Sequence, residues 1–592
     1  MPSLNVPSRI PAHLSLTLVG LMWVLPFLYP SHAYPLTTFY QEWIAVALGL
    51  AAVMGLLALG GWREFSVPAV MALPLGLLLV LLVQLAQGKL SYVGQAQLLA
   101  EYLLWMALLL LLGLRLRQQF GLAGLVTALA GFCLLGAELN ALAGILQHYH
   151  WHTPLDRFVT NKVAVAVYGN LAQPNHYADQ MALGLVSLGL LAATRKLPGR
   201  LAPVAAAPLL FVMVLSGSRT SWFYFVALLL LAFPGRRATT ESRWLWRYSL
   251  AVLAGFAVMH GVVKLPWLAT DGLTSFARLY QESGGNSIRL YLWREALQIW
   301  ADYPLFGAGF GQFAWQHFVR LPGLANPAIS GLYNNAHNLP LQLAAETGLA
   351  GLLVVVGALF TWWRRTRSLP ASPWKWWGYA VCVVLGLHSL LEYPLWYTYF
   401  LGIAALVLGA LEPEGRRLLL PRLGWGVAAA LTLCGVFAAA QLLSSYRQLE
   451  AATTASRLAS AGDTARTQHV VTELQTLARQ PELSAYAELY LNPMYRVDEQ
   501  HLNFKHPLNR RVLRAFPVGQ TAYREVEFLA IAGRTQEAEV LLEQAIWSYP
   551  GEFAAAREQL EALARKDPAR YAALLKFALQ KFEEHQRAVS AG

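Results

Sequence analysis

Five short polar segments interrupt an otherwise apolar chain, and each carries side chains able to bind or move charge. YGNLAQPNHYADQ (Tyr168 to Gln180) packs Asn170, Gln173, Asn175, His176 and Asp179 into the mouth of an apolar run. Asn175 is expected to be the N-cap of that helix, but the segment holds more polar groups than capping requires. SGSRTSW (Ser216 to Trp222) sets Arg219 between two apolar stretches, where a guanidinium needs an anionic partner. SIRLYLWREALQIWADYPLFGAGFGQF (Ser287 to Phe313) places Arg289 and Trp293 at i and i+4 of an amphipathic helix, then turns at Gly307, Gly309 and Gly311. Those glycines follow a helix and have no strand before them, which excludes a dinucleotide loop. NNAHNLPLQLAAETGLAGLL (Asn334 to Leu353) puts His337 just ahead of a helix that Asn338 and Pro340 start, and an imidazole that titrates near neutrality suits proton transfer. HSLLEYPLWY (His388 to Tyr397) adds Glu392 and Tyr393.

The elements that position these groups are spans of a membrane. Of 592 residues, 56% are hydrophobic and 13% charged, about half the charge of a soluble globular chain. Collagen-like, disordered and disulfide-stapled classes are excluded. Cys133, Cys382 and Cys434 all lie in apolar runs, which argues against a disulfide framework or a zinc site. Windows long enough to cross hydrocarbon fall at about thirteen places, near 13–30, 43–61, 67–87, 96–114, 120–146, 176–194, 201–216, 221–234, 248–263, 338–362, 376–391, 395–411 and 423–443. The first is read as a retained span, since no small-residue cleavage site follows it.

The net charge of +12, from 45 Lys and Arg against 33 Asp and Glu, is largely a topology signal. With Met1 inside, alternate loops carry Arg63; Arg115 and Arg117; Arg195, Lys196 and Arg200; Arg236, Arg237, Arg243 and Arg247; Arg364, Arg365, Arg367 and Lys375; and Arg416, Arg417 and Arg422. The opposite loops hold little beyond Lys89, as expected when basic residues stay on the cytoplasmic side. An odd number of spans then exports a long loop at 264–337 and a tail at 444–592. The tail returns to soluble charge density, and its FLAIAGRTQEAEVLLEQAIWSYPGEFAAAREQLEALARKDPARYAALLKFAL has apolar residues at helical spacing broken at Gly533 and Pro550. That pattern reads as antiparallel helix pairs resembling tetratricopeptide repeats. The expected division is a transmembrane catalytic domain at 1–443 and a helical domain at 444–592.

In this topology the helices that begin near His176, Ser221, Asn338 and Leu395 all present their N-termini to the outer face, with free N–H groups and partial positive charge. With Arg219 and Arg289 added, the expected site binds an anion. Several phosphate oxygens match two guanidinium forks and helix ends better than one carboxylate does, so a diphosphate, and at that depth a lipid-linked donor, is the expected ligand.

Taken together, GNLAQPNHYADQ, SGSRTSW, SIRLYLW with FGAGFGQF, AHNLPLQLAAETGLAGLL and HSLLEYPLWY resemble bacterial O-linked oligosaccharyltransferases of the PglL, pilin-glycosylating type, within the O-antigen ligase and polymerase superfamily. The likeness runs in order through about residues 160–412. It implies an all-α polytopic membrane protein of GT-C-like architecture in the bacterial inner membrane, with its active site and tail in the periplasm. It implies en bloc transfer of a glycan from undecaprenyl diphosphate to Ser or Thr of an exported protein. On the family's pattern the long-loop histidine falls on His337, the glutamine before Pro-Asn-His on Gln173, the tyrosine of Glu-Tyr-Pro on Tyr393, and the phosphate-binding arginines on Arg219 and Arg289. Asn170, Asn175, His176, Asn338 and Glu392 are the further expected substrate contacts. No metal or cofactor is expected, because the outer clusters lack the sets of carboxylates that hold magnesium or manganese. Nucleic acid is not an expected partner.

Two rival readings remain at this stage. A sister ligase would attach the glycan to lipid A–core, or a polymerase would extend it; the EYPLW segment and the helical tail favour a protein acceptor. A transporter of polyprenyl-linked sugars would spread its polar groups toward the bilayer midplane on broken helices, whereas these crowd toward one face.

Overall fold

The computed structural model describes residues 10–58, 65–163, 165–266, 268, 288–413, 415–458 and 464–591; Arg63 and residues 269–287 of the long loop, Ser287 included, lie outside them. In hydrocarbon a helix pairs its own backbone groups, so long apolar runs become helices. Among the described residues, each of the expected apolar segments is helical over most of its length. Seven helices among the described residues are long and apolar enough to cross a membrane: Ile10–Leu28, Phe39–Leu57, Ala69–Ala86, Val93–Tyr149, Thr240–Val262, Leu339–Thr366 and Pro421–Leu458. The chain is a polytopic helical membrane protein. The segments expected at 96–114 and 120–146 form one run, Val93–Tyr149, broken at Gly121 (φ 68°, ψ 164°) rather than by a loop.

The chain divides into two compact units, one of Met1–Gly76, Glu101–Gly285 and Val354–Ala440, the other of Leu77–Ala100, Asn286–Leu353 and Gln441–Gly592. We label its principal helices in order: α1 Ile10–Met22, α2 Phe39–Leu57, α3 Ala72–Ala86, α4 Val93–Tyr149, α5 Pro174–Ala193, α6 Ala202–Leu215, α7 Thr220–Ala232, α8 Thr240–Val262, α9 Ile288–Asp302, α10 Phe313–Leu324, α11 Leu339–Thr366, α12 Pro373–Ser389, α13 Thr398–Leu411 and α14 Pro421–Leu458. The tail adds α15 Thr464–Leu477, α16 Pro481–Leu491, α17 Leu502–Ala515, α18 Gly519–Ile531, α19 Thr535–Ser548, α20 Phe553–Lys566 and α21 Pro568–Ala591.

At the centre of the first unit stands α5, buried from His176 through Ala193. It packs against α6, α7 and α12. Elsewhere in this unit α4 and α13 touch backbone to backbone: a Cβ on Gly409 would sit 2.1 Å from the Leu110 carbonyl oxygen, so only glycine permits the crossing. A two-residue antiparallel ladder pairs Ser66 with Arg417 and Val67 with Arg416. Beside it the buried Glu412 carboxylate accepts the Ala69 N–H (2.7 Å) and the Val70 N–H (3.2 Å) and pairs with Arg365 Nε (2.7 Å).

The second unit is organised by a break in α11. Gly348 sits at φ 64°, ψ −161°, which interrupts the helical ladder and frees backbone groups on both sides. The glycine-rich turn after α9 supplies their partners. Ala308 N–H donates to Ala345 O (2.9 Å) and Gly309 N–H to Glu346 O (3.1 Å), while Leu349 N–H and Ala350 N–H donate to Pro304 O (2.8 Å) and Leu305 O (3.0 Å). Gln84 of α3 locks the joint, its Nε2 donating to Phe306 O (2.6 Å) and Glu346 O (2.7 Å) and its Oε1 accepting from Phe310 N–H (3.1 Å). The span expected at 338–362 is helical from Leu339 to Thr366, in two pieces spliced at Gly348 by the loop. In the tail, neighbouring helices pack pairwise around Ala522, Val526, Leu542, Ile546 and Leu574, and Phe318 of α10 belongs to the same apolar cluster.

A methyl group at Gly348 would meet the Leu305 carbonyl oxygen at 2.5 Å and impose a left-handed backbone on a β-carbon. Gly348→Ala is therefore expected to cost about 2 kcal/mol or more. The measurement is the thermal midpoint of the detergent-solubilised protein; an unchanged midpoint would mean the joint carries no such constraint.

Candidate functional site

The polar turns of the first unit are built on the start of α5. Pro174 occupies the first helical position, where no N–H is needed. Gln173 is the cap: its Oε1 accepts the His176 N–H at 2.7 Å. The cap expected at Asn175 is thus two residues too late, and the proline explains why, since it can follow a cap but not precede one here. Released from capping, Asn175 Nδ2 donates to Glu392 Oε1 at 2.9 Å. One helical turn deeper, Asp179 Oδ1 lies 3.4 Å from His388 Nδ1, both side chains 0% exposed. Asn175 and Asp179 are i and i+4 on α5, and His388 and Glu392 are i and i+4 at the end of α12, where Glu392 N–H donates to His388 O (2.8 Å). Two rungs one turn apart therefore tie the Pro-Asn-His turn to the Glu-Tyr-Pro turn.

Two expected substrate contacts are interior groups. Asn170 is 2% exposed and its amide is spent on the fold: Nδ2 donates to Leu28 O (2.8 Å) and Phe158 O (2.7 Å), and Oδ1 accepts from Thr160 N–H (3.0 Å). His176 is also 2% exposed, its ring edge-on to Tyr397 (4.8 Å), His388 (5.3 Å) and Phe400 (5.4 Å). Both position the turn rather than line its surface.

Gln173, Asn175, Arg219 and Tyr393 are half-buried. Arg219 stands at the head of α7, after a turn at Gly217 (φ 66°). That turn lies next to the α5 entry, since Val167 N–H donates to Leu215 O at 3.1 Å. Tyr393 stacks on Tyr397 at 6.1 Å. Burial, then the neighbouring Glu392 charge, pushes its phenol above the ordinary tyrosine value, so it is a proton donor near neutrality.

In the second unit, His337 is half-buried and adopts φ 52°, a left-handed conformation that costs a non-glycine residue on the order of 1 kcal/mol. Its neighbours enforce it. Asn335 Oδ1 accepts the His337 N–H (2.7 Å), and Gln342 Oε1 accepts the Ala336 N–H (2.8 Å). Ala336 is fully buried with Leu292, Ala296 and Ile299 of α9, Phe313 and Ala345. Asn338 caps α11, accepting the Leu341 N–H at 3.1 Å, as expected. Arg289 is half-buried in the first turn of α9.

Of the expected residues, the first unit therefore carries Gln173, Asn175, Arg219, Glu392 and Tyr393, and the second His337, Asn338 and Arg289. Sequence reasoning missed Asp179 and His388 as a pair, and Asn335 and Gln342 as the supports of His337. The i, i+4 spacing of Asn175 with Asp179 and of His388 with Glu392 is the signal that points to the rungs. Among the described residues no group of three His, Cys, Asp or Glu is gathered to hold a metal ion.

The chain matches three family models. One described as protein glycosylation ligase covers residues 167–192, one described as O-antigen ligase covers 204–356, and one described as virulence factor membrane-bound polymerase, C-terminal, covers 376–563. Between them they take in all the turns above. It is 26% identical over 417 residues, 68% of this chain and 70% of the relative, to a general O-oligosaccharyltransferase of Acinetobacter baylyi. It is 23% identical over 377 residues, 63% of this chain and 67% of the relative, to a ComP-specific O-oligosaccharyltransferase of the same organism.

Removing one member of the buried rung strands the other. Asp179→Ala is expected to lower stability by about 3 kcal/mol or more, and the isosteric Asp179→Asn by less. Thermal midpoints in detergent decide it; a wild-type midpoint for Asp179→Ala would show that the pair holds nothing together.

Proposed function

We infer that this chain, which belongs to the PglL-type O-oligosaccharyltransferases of the O-antigen ligase superfamily, takes a preassembled oligosaccharide en bloc from undecaprenyl diphosphate and places it on Ser or Thr of a pilin-like exported protein. Transfer of an oligosaccharide in protein O-glycosylation, by an enzyme of the membrane, follows from that membership. Donor lipid, acceptor, side of the membrane and mechanism are the inferred part. The observation that carries the mechanism is His337, an imidazole held in a strained backbone conformation by Asn335 and by the anchored Ala336.

A hydroxyl is a poor nucleophile, so its proton must leave as it attacks. Neutral His337 takes the Ser or Thr proton while the hydroxyl oxygen bonds to the anomeric carbon. The bond from that carbon to the diphosphate oxygen breaks, its electron pair leaves with undecaprenyl diphosphate, and configuration inverts in one displacement. Charge grows on the leaving diphosphate, and Arg219 and Arg289 stabilise it more in the transition state than in the ground state. Tyr393 donates a hydrogen bond, and Gln173 and Asn175 shape the turn beside it. No step draws on a metal ion. In this reading the N-terminus lies in the cytoplasm and the polar turns and the tail in the periplasm of the inner membrane, a topology of about thirteen spans that the basic loops support. The tail, a tetratricopeptide-like helical array, is the docking surface for the protein acceptor. The two relatives differ in name on one point, one general and one specific for ComP, so acceptor range is the property to measure here.

The ligase and polymerase descriptions of the matched models support a second reading, transfer to lipid A–core or to a growing glycan. One assay separates them: purified full-length enzyme with a short undecaprenyl-diphosphate oligosaccharide, a pilin-like protein and lipid A–core together, in EDTA. The expected result is glycosylated protein, reduced roughly 100-fold or more in His337→Ala; glycan on lipid A–core alone would overturn the protein acceptor. In the same assay Tyr393→Phe is expected to keep the alkaline limb of the wild-type pH–rate profile up to about pH 9, since the raised phenol stays protonated throughout. A limb that vanishes with the hydroxyl would show that Tyr393 ionises in that range.

A further inference from the structure

The second unit contains a fully buried acid–imidazole pair that none of the polar turns includes. Glu295 of α9 is 0% exposed and His317 of α10 is 1% exposed. The ring Nδ1 lies 2.8 Å from Glu295 Oε2, and Nε2 lies 3.1 Å from the Ile329 carbonyl oxygen. Both partners are acceptors, whereas a neutral imidazole offers one N–H and one lone pair. The contacts are satisfied together only when one proton sits on Nε2 and a second lies between Nδ1 and the carboxylate. The imidazole is thus held on both sides, while Glu295 Oε1 is buried without a hydrogen-bond partner among the described residues.

What it closes on is the segment that ends at His337. Ile329 is buried with Leu321 of α10 and Trp547 of α19, and two residues on Gly331 N–H donates to Ser548 O at 2.7 Å. The ring of Tyr333 stands edge-on to His317 at 5.4 Å. Ala336 then buries itself against Leu292, Ala296 and Ile299 of α9, the same helix that supplies Glu295. Residues 325–338 are therefore fastened to α9 at both ends, once through the His317 ring and once through the Ala336 methyl.

We propose that His317, held by Glu295, is a positioning residue for the transfer reaction, fastening segment 325–338 to α9 so that His337 is presented in one conformation. The proposal rests on the reading of His337 as the base. A base must stand within hydrogen-bond reach of the hydroxyl it serves, and a displacement of about 1 Å costs on the order of 100-fold in rate. Loss of the clamp therefore shows in kcat and leaves donor binding alone.

The test uses the full-length enzyme and two variants. Glu295→Leu with His317→Leu removes the clamp while filling its volume with apolar groups, a replacement that buried pairs generally tolerate without unfolding. Glu295→Gln keeps every contact, its amide donating to a bare Nδ1 while Nε2–H still donates to Ile329 O. The double-leucine variant is expected to keep its thermal midpoint and donor KM, to lose roughly 10- to 100-fold in kcat, and to exchange backbone hydrogens faster across residues 325–337. Glu295→Gln is expected to keep kcat within about threefold. Wild-type kcat and exchange in the double-leucine variant would overturn the proposal, as would an equal loss in Glu295→Gln. Exchange reports the clamp, and the activity of His337→Ala reports the base, so the clamp and the catalytic reading fail separately.

Discussion

A peptide group surrounded by hydrocarbon has no water to turn to, so every N–H and C=O at membrane depth must find its partner in the chain. Most are paired within helices. The break at Gly348 is where that economy is suspended, and the turn at residues 304–310 restores it, donating to the carbonyls of Ala345 and Glu346 and accepting from Leu349 and Ala350. Gly307 belongs to the joint because a side chain there would collide with the Glu346 backbone. The glycine run that resembles a nucleotide loop is thus a structural splice. Its consequence reaches His337, since the short helical piece between Asn338 and the break is the platform from which Gln342 supports Ala336, the residue before it.

Buried charge obeys the same rule with larger penalties, and each buried pair joins segments distant in sequence. Glu412 meets Arg365 and two N–H groups near the start of α3; Asp179 meets His388; Glu295 meets His317. Such pairs seldom add much net stability, because desolvation offsets attraction. What they supply is register, since a carboxylate stranded in the interior is penalised far more than a methyl group slightly misplaced. The Asp179–His388 rung, one turn beneath Asn175–Glu392, fixes how the Pro-Asn-His and Glu-Tyr-Pro turns face one another.

The proposed oligosaccharide transfer accounts for why polar groups gather in a few turns while the spans stay apolar. As proposed, transfer from a lipid carrier to a protein would draw on phosphate-binding cations and a proton acceptor, with the transition state stabilised by groups already in place. Several polar residues of the motifs serve the fold itself. Asn170 and His176 are interior, spent on hydrogen bonds and ring packing, while Gln173, Asn175 and Tyr393 remain half-buried in the turns.

From the sequence alone, the membrane class, the position of nearly every apolar span, the order of the polar turns and the cap at Asn338 were legible, because apolar runs and local hydrogen bonds act over a few residues and leave a periodic trace. The cap at Gln173 was misplaced by two residues, although Pro174 marks it. The span at 338–362 was legible but its break at Gly348 was not, because a glycine in a helix signals a break only when another segment waits to pair the freed groups, and Pro304, Leu305, Ala308 and Gly309 lie some forty residues away. For the same reason Glu295 and His317 carry no mark in the sequence: a carboxylate and an imidazole on separate helices become a pair only where packing excludes water from both. Local preference and hydropathy determined the elements; the pairing of buried backbone and buried charge, which depends on who meets whom across the fold, was decided only by the tertiary structure.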